Sequence, residues 1–377
     1  MRKRRAKGEG SITRRKDGTW VASVDLGFKP NGKRHRLFVY ARTQAAVLVK
    51  LSDLRKQAAA GIDLTQRPKV SEYLNRWLDV KANTVKPRTL ELYRGFAAKA
   101  ADHLGRHDVA KLSPLHVQAA VDSIRASSGA STANKVRRML FGAFKQAVEW
   151  RLLPYNPVEA VKPVAEAPRE VELWTPEHAA AFLDAAMPHR LYALFYLLLS
   201  SGLRQGEALA LRWTDVAADH VKVRRTITRV AGKVEFSTPK TRRGERVVTL
   251  PPDTIAVLEA HKRRQDGERV TAGELYNSGG LVFCNEIGGV ISPMALHHVW
   301  RRLLTRAGVP RIRLHDLRHL HVSLLVQRGV DPRTIADRIG HTDAAFTLRR
   351  YSHMFELHRR VAAVSLSDLL GARGPVN

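Results

Sequence analysis

The segment HDLRH at residues 315–319 holds two histidines four residues apart, with Asp316 next to the first. On a helix this spacing puts both histidines on one face, as in the HExxH motif of zinc peptidases, and His321 or His341 could add a third ligand. In those peptidases, however, the acid is a glutamate that reaches the metal-bound water, and Asp316 has a shorter side chain. The chain also lacks the glycine-rich motifs that hold nucleotide phosphates. We therefore predict neither a metal site nor a cofactor.

Several polar side chains interrupt otherwise apolar helical segments. Arg204 follows closely after the apolar LLLSSG, and Glu207 lies one turn further on, where it can hold the guanidinium. His315 and Arg318 are three residues apart and share a helical face. We group with them a lysine in the strand-connecting TPKTRRGER, a histidine after a helix-ending glycine, and the tyrosine of LRRYSH: Lys240, His341 and Tyr351.

These residue types suit phosphodiester cleavage without a metal. Negative charge builds on the non-bridging oxygens, and paired guanidiniums stabilise it with charge-assisted bonds. A tyrosine hydroxyl can attack phosphorus and hold the strand as a phosphotyrosyl ester. A lysine on a turn can protonate the departing 5′ oxygen, while histidines take up the phenol proton or bond the phosphate. Each residue alone could be structural or could bind the DNA backbone, but the set predicts strand cleavage.

The charge of the chain points to a polyanionic partner. Its 377 residues contain 64 lysines and arginines against 35 acids, a formal net charge of +29. Cationic surface of this size neutralises phosphates and releases their counterions, which favours DNA over an anionic membrane surface. The basic N-terminus is not followed by the apolar segment of a secretory signal, and the longest apolar run, residues 191–199, is about half the length of a membrane span. A single cysteine, Cys284, excludes an internal disulfide and fits a reducing cytoplasm.

The pattern along the chain predicts a multidomain, mostly α protein with small β-sheets. In residues 1–62, turn signals at DG and NG separate alternating segments, which predicts a three-stranded sheet backed by one helix. Its basic residues favour a DNA-binding sheet, and the candidates are Arg14, Arg15, Lys16, Lys33, Arg34 and Arg36.

Residues 66–162 change to helical periodicity and predict a bundle of four helices, one of them started by Ser113 and Pro114. Residues 162–172 read as a linker. Basic side chains on the last helix of the bundle could line a duplex, namely Lys135, Arg137, Arg138 and Lys145.

Residues 173–377 predict an α+β domain. Thr175 and Pro176 start a helix, 190–201 form a buried helix, and the SGLRQGEALALRW segment follows with Ser201 as its cap. Three short strands come next, covering 221–230, 233–239 and 244–250. Helices resume at SPMALHHVW and continue to a C-terminal tail helix with an apolar stripe.

The motifs SGLRQGEALALRW, LHDLRH and IGH, followed by Tyr351, resemble those of the tyrosine recombinases, specifically the phage-type integrases. The resemblance covers the whole chain and implies an arm-binding sheet domain, a helical core-binding domain and a catalytic domain. It implies that Arg204 and Arg318 are the catalytic arginines, Glu207 a supporting acid, His315 and His341 the catalytic histidines, and Tyr351 the nucleophile. Lys240 matches the lysine of the strand turn, although Arg242 and Arg243 lie in the same turn and are further DNA-binding candidates.

The resemblance also implies a setting for the reaction. The expected function is site-specific DNA recombination that integrates or excises a mobile element through a 3′-phosphotyrosyl intermediate. The expected partners are double-stranded attachment sites, three further copies of the chain in a tetramer on DNA, and an excisionase or a host DNA-bending protein. The expected location is the cytoplasm of a bacterial host, at the nucleoid. The alternatives are a type IB topoisomerase-like strand transferase and a DNA-binding protein without catalysis.

Overall fold

The protein is described here by a computed structural model. It covers residues 11–28, 32, 34–59, 68–166, 174–239, 244–277 and 279–340. The chain divides into two compact units, Met1–Pro168 and Arg169–Asn377. The division into three domains made from the sequence stays a prediction, as does the linker, of which residues 167–172 lie outside the described part.

The first unit begins with the predicted sheet. Strands β1 (Ser11–Arg14), β2 (Trp20–Phe28) and β3 (Arg34–Ala41) pair antiparallel in the order β1-β2-β3, and helix α1 (Gln44–Ala59) follows. The first turn contains Gly18 at φ 84°, a backbone conformation that glycine adopts without strain. Alternate residues of β2 and β3 point towards α1 and form a small separate core, made of Ala22, Val24, Ala41, Val47, Leu51 and Leu54.

Four helices then form the predicted bundle: α2 (Val70–Ala82), α3 (Pro87–Leu104), α4 (Pro114–Ser128) and α5 (Ala130–Glu149). Ser113 caps α4, because its hydroxyl accepts a hydrogen bond from the backbone N–H of His116 at 3.4 Å. The bundle has its own core, centred on Tyr73, Trp77 and Phe144, each of which is at most 2 % exposed. The bundle and the sheet therefore bury separate apolar clusters.

The second unit starts with α6 (Pro176–Ala186), α7 (Tyr192–Ser201) and the short α8 (Gln205–Leu209). After the strands come α9 (Pro252–Ala272), α10 (Pro293–Ala307), α11 (Asp316–Gln327) and α12 (Pro332–Ile339). Phe182, Phe195 and Trp300 pack ring against ring in its core, with centroids 4.7–5.6 Å apart.

The strands of this unit differ from the prediction of three. The predicted strand 221–230 is two strands, β4 (His220–Val223) and β5 (Thr226–Val230). With β6 (Lys233–Ser237) and β7 (Arg246–Thr249) they form two separate two-stranded sheets, β4-β7 and β5-β6. The break falls at Arg224 and Arg225, whose guanidiniums both turn to the buried carboxylate of Asp215. An ion pair that cannot be read from periodicity thus divides the strand.

Helix α9 was missed by the sequence analysis. Apart from Leu258, the residues it buries are polar, namely Thr254, His261 and Gln265, so the apolar periodicity that identifies an amphipathic helix is weak. The signal that could have found it is its start, where Pro252 occupies the first turn with Asp253 beside it.

Within the described residues, no helix is both long and apolar enough to span a lipid bilayer.

Candidate active site

The first arginine of the site lies between two helices. Gly202 ends α7 in the left-handed conformation at φ 65°, and Arg204 is extended just before α8. Inside α8, a Cβ on Gly206 would lie 2.6 Å from the Ile227 carbonyl oxygen, so α8 packs directly on the backbone of β5. Glycine at both positions allows the close packing that sets the direction of Arg204.

Glu207, rather than Ser201, caps α8. The Glu207 carboxylate accepts a hydrogen bond from the backbone N–H of Arg204 at 3.0 Å. Ser201 is instead the last residue of α7, and its hydroxyl donates to the Leu197 carbonyl within that helix. The predicted Ser201 cap is therefore wrong, because α7 extends through this residue and uses its hydroxyl.

Glu207 also joins two arginines in a buried cluster. Only 4 % of Glu207 is exposed, and its carboxylate accepts from Arg204 Nη1 at 2.8 Å and from Arg246 Nη1 and Nη2 at 3.2 and 2.9 Å. Burial raises the pKa of Glu207, but the hydrogen bonds and charges of Arg246 and Arg204 outweigh burial and hold that pKa below its ordinary value. The expected contact between Glu207 and Arg204 is thus present, and the carboxylate stays charged.

Arg318 brings three sequence motifs together. It lies in α11, is 4 % exposed, and donates through Nη1 to the Gly202 carbonyl at 2.6 Å and through Nη2 to the Ile339 carbonyl. Arg204 donates to the neighbouring Gly340 carbonyl at 3.3 Å. Both predicted arginines therefore bond the turn that leads into His341, although His341 itself lies outside the described residues.

His315 stands at the start of α11 with its ring partly open to solvent. Desolvation by the surrounding protein and the charges of Arg318 and Arg204 lower the pKa of His315, against the opposing charge of Asp316. The imidazole is therefore mainly neutral at pH 7 and able to accept a proton.

Asp316 binds a neighbour and does not face the site as a base. Its carboxylate accepts from the backbone N–H of Arg313 at 2.8 Å and from the guanidinium of the same residue at 2.7–3.1 Å. Burial raises the pKa of Asp316, but the bonds to Arg313 lower it more, so the group remains ionised. The rings of His315 and His319 pack edge to face, with centroids 5.5 Å apart.

His321, the residue considered as a third zinc ligand, uses both ring nitrogens inside the protein. Its Nδ1 bonds the Leu199 carbonyl at 2.8 Å, and its Nε2 accepts from Arg338 Nε at 3.2 Å. Burial, together with the charge of Arg338, lowers the pKa of His321 to about 4. In the described residues, no group of three or more His, Cys, Asp or Glu side chains is arranged to hold a metal ion.

Several predicted residues lie outside the described part, namely Lys33, Lys240, Arg242, Arg243, His341, Tyr351 and the C-terminal tail helix. The chain that flanks Lys240 is described. Strand β6 ends at Ser237 and β7 begins at Arg246, so Lys240 does lie between two strands. A Cβ on Gly244 would come within 2.4 Å of Pro239 Cβ, so the two ends of the 240–243 connection are in contact.

The basic residues predicted to bind DNA are mostly at the surface. Arg14, Arg15 and Lys16 are exposed, with the Arg15 guanidinium 5.0 Å from the Tyr40 ring centroid. Arg34 and Arg36 are exposed beside Asp25, at 3.8 and 3.9 Å. On α5 the exposed residues are Lys135, Arg138 and Lys145, whereas Arg137 donates to the Val161 carbonyl and holds the chain after the bundle.

Arg246 is the residue of this cluster that the sequence analysis missed. It shares its face of β7 with the buried Val248, and its side chain is 7 % exposed. An arginine at an inward-facing strand position is costly to bury without a partner, so this position was a signal for a buried carboxylate.

Two protein-family models match parts of this chain. The model described as "Phage integrase family" matches residues 174–358, which include Lys240, His341 and Tyr351. The model "Phage integrase, N-terminal SAM-like domain" matches residues 69–124, in the helical bundle.

Curated relatives match along almost the full chain. A "Tyrosine recombinase XerC-like" protein of Caldanaerobacter subterraneus is 28 % identical over 373 residues, covering 92 % of this chain and 95 % of the relative. The ICEBs1 integrase of Bacillus subtilis is 25 % identical and covers 96 % of this chain and all of the relative. An integrase of Streptomyces ambofaciens is 27 % identical over the whole of both chains.

Solved structures share the fold. The Tn1549 transposon integrase in complex with transposon right end DNA matches with a TM-score of 0.69 at 18 % identity, over 78 % of this chain and 100 % of that one. A lambda integrase tetramer bound to a Holliday junction matches with a TM-score of 0.58 at 16 % identity, over 88 % of this chain and 96 % of that one. These matches show that the chain, in which Arg204 and Arg318 both bond the Ile339–Gly340 turn, belongs to the phage integrase family of tyrosine recombinases.

Proposed function

We propose that this chain is a site-specific integrase that cleaves and rejoins DNA strands through a 3′-phosphotyrosyl intermediate. The observation that carries the proposal is the meeting of Arg204 and Arg318 at the Ile339–Gly340 turn, directly before His341. Two guanidiniums at one point form a site for a single phosphate, because each presents planar donors to its oxygens.

In this proposal Tyr351 attacks the scissile phosphate and the 5′ oxygen leaves. Arg204 and Arg318 stabilise the charge on the non-bridging oxygens. His315 and His341 take up the phenol proton or bond the phosphate, and Lys240 protonates the leaving oxygen. The neutral state of His315 and the position of Lys240 between β6 and β7 support these roles.

The proposed DNA contacts are divided between modules. The outward face of β3 carries Arg36, Phe38 and Tyr40, and the two aromatic side chains are 52 % and 43 % exposed. Basic and aromatic groups on one face of a sheet can contact backbone and bases together. The exposed Lys135, Arg138 and Lys145 recur on one face of α5, at a spacing that can follow a second stretch of duplex.

We propose that the active assembly is a homotetramer on paired attachment sites, by likeness to the lambda integrase tetramer on a Holliday junction. An excisionase or a host DNA-bending protein would set the direction of the reaction. Because the substrate is chromosomal or element DNA, the proposed place of action is the bacterial cytoplasm, at the nucleoid.

The test is to trap the covalent intermediate. A nicked duplex spanning the end of the genomic element that carries the gene, called here the core-site duplex, loses a short fragment after cleavage and cannot be rejoined. We expect the chain to accumulate as a covalent complex on this DNA, with the adduct on Tyr351 by mass spectrometry. The Tyr351→Phe variant keeps the ring but lacks the nucleophilic oxygen, so it should bind the DNA and form no complex. An adduct on another residue, or normal cleavage by Tyr351→Phe, would refute the assignment, and strand exchange between two duplexes separates a recombinase from a topoisomerase-like enzyme.

A further inference from the structure

Arg246 makes the more extensive contact with Glu207, yet it is not placed to touch DNA. Both of its terminal nitrogens bond the Glu207 carboxylate, at 3.2 and 2.9 Å, whereas only one terminal nitrogen of Arg204 does so, at 2.8 Å. The Arg246 side chain is 7 % exposed and that of Arg204 is 39 % exposed. The buried arginine thus holds the carboxylate, and the carboxylate holds the exposed arginine.

The guanidinium of Arg246 is itself fixed by two other segments. Its Nε donates to the Arg338 carbonyl at 2.8 Å, in the last turn of α12. Its Nη1 also donates to the Gly244 carbonyl at 3.2 Å, where the 240–243 connection joins β7. The side chain therefore ties α8, α12 and the start of β7 to one another.

We propose that Arg246 is a positioning residue that, through Glu207, orients the exposed guanidinium of Arg204 towards the scissile phosphate. This inference rests on the proposed function of Arg204. The backbone N–H and the side chain of Arg204 each hold one carboxylate oxygen of Glu207. The bidentate contact with Arg246 adds a planar partner on both oxygens, which sets the plane of the carboxylate and hence the direction of its bond to the Arg204 side chain.

The charges around Glu207 give the inference a pH signature. Among the described residues, Arg204 and Arg246 face Glu207 directly, Arg338 lies beyond Arg246, and His315 lies beyond Arg204. Without Arg246, burial would raise the pKa of Glu207 against Arg204 alone. Glu207 would then take up a proton as the pH falls, and Arg204 would lose the charge that orients it.

The experiment compares two arginine–carboxylate pairs of the same unit, one buried and one partly buried. Arg246→Met and Arg246→Lys are tested against Arg190→Met, since Arg190 forms a similar bidentate pair with Glu268, at 2.6 and 3.2 Å, and donates to the Cys284 carbonyl at 2.6 Å. The single-turnover rate of covalent complex formation on the core-site duplex is measured for the full-length proteins from mildly acidic to mildly alkaline pH. Each rate is divided by that of the wild type at the same pH, which removes the titration of His315, and urea unfolding gives the folded fraction.

We expect Arg246→Met to slow the reaction roughly 10²-fold near neutral pH, as for loss of one oriented oxyanion donor, and to slow it further as the pH falls. Arg246→Lys keeps the charge near Glu207, so its ratio to the wild type should be reduced but independent of pH. Arg190→Met, corrected for folded fraction, should react at the wild-type rate throughout.

Two results would overturn the inference. One is that the rate of Arg246→Met relative to the wild type does not change with pH and is no smaller than the relative rate of Arg190→Met. Arg246 would then have a purely structural role. The other is covalent complex formation by Arg246→Lys at the wild-type rate, because a lysine cannot reproduce the bidentate contact. This second result can be obtained even if Arg246→Met does not fold. If Tyr351→Phe still forms the covalent complex, the proposed function fails as well; if it is inactive, only the role of Arg246 is lost.

Discussion

Arg204 and Arg318 have the same functional group in very different surroundings. Arg204 is partly open to solvent and shares Glu207 with Arg246, so the carboxylate keeps a partner when Arg204 is removed. Arg318 is buried and donates to the carbonyls of Gly202 and Ile339, which would lose these donors with it. Arg318 is thus tied to the structure of the unit more closely than Arg204.

This difference can be measured with two alanine variants. Both should slow covalent complex formation by roughly 10²-fold or more, as expected for lost transition-state donors. Arg204→Ala should change the free energy of unfolding by less than about 1 kcal/mol, in the range of a partly exposed ion pair. Arg318→Ala should lower it by about 3 kcal/mol, because two buried acceptors lose a hydrogen bond. Equal losses in urea unfolding would contradict the structural part of the Arg318 assignment.

His321 makes stability depend on pH. Its pKa of about 4 lies below the ordinary value, so the unfolded chain binds a proton at mildly acidic pH where the folded chain does not. The contribution of His321 to the free energy of unfolding is therefore fully present above about pH 6.5 and is lost as the pH falls towards 4.

For the wild type we expect a loss on the order of 2 kcal/mol from this residue between about pH 7.5 and about pH 5, measured by urea unfolding. His321→Gln keeps a donor and an acceptor but cannot titrate, so its loss should be smaller. His261, whose pKa burial also lowers to about 4, contributes a second part, and the double glutamine variant should show the flattest profile. An unchanged pH dependence in the double variant would show that neither histidine is protonated on unfolding.

At the scale of elements, the site depends on how α7 ends. Gly202 and Gly308 both end helices in the left-handed conformation, at φ 65° and 66°. They differ in what surrounds them. A Cβ on Gly202 would lie 2.6 Å from His321 Cδ2, whereas a Cβ on Gly308 would meet nothing within 4 Å.

The two glycines form a matched pair for substitution. Gly308→Ala should lower the free energy of unfolding by about 1 kcal/mol, the cost of placing a side chain in the left-handed region. Gly202→Ala has the same backbone cost and also displaces the His321 ring, so it should lower the free energy of unfolding clearly more than Gly308→Ala does. It should also slow covalent complex formation, because Arg204 follows two residues later. Equal losses for the two variants would mean that α7 can shift away from α11 without affecting the site.

At the scale of the whole molecule, the chain carries a net charge of +29. The sheet with α1, the helical bundle and the second unit each have a hydrophobic core of their own. Val24 of the sheet and Leu51 of α1 belong to one buried cluster, and Tyr73 and Trp77 of the bundle belong to another. Removal of the sheet therefore leaves the other apolar clusters intact.

We expect deletion of residues 1–62 to abolish integration while leaving covalent cleavage of the core-site duplex. The DNA affinity of the truncated protein should also fall less steeply with salt, since fewer phosphates are neutralised. The measurements are integration between two attachment-site plasmids, the suicide-substrate assay and binding at several salt concentrations. Normal integration by the truncated protein would contradict a separate DNA contact by the sheet.

Much of the fold follows from local rules that the sequence obeys. The turn with Gly18, the cap at Ser113 and the alternation of β2 each depend on residues close together in the chain, so the sheet, the bundle and most helices were predicted correctly. The candidate site residues were chosen by type and order, because phosphate chemistry needs arginines, histidines and a nucleophile, and their catalytic roles stay a prediction.

The tertiary structure alone decided which groups these residues meet. Arg318 bonds carbonyls contributed by α7 and α12, Arg246 holds a glutamate from α8, and Asp215 draws Arg225 out of a strand. Helix α9 was missed for the same reason, since its buried Gln265 finds its partners in Trp213 and in the Leu281 and Val282 carbonyls. Burial of a polar group is favourable only with a partner in place, and when that partner lies far along the chain no local pattern reveals it.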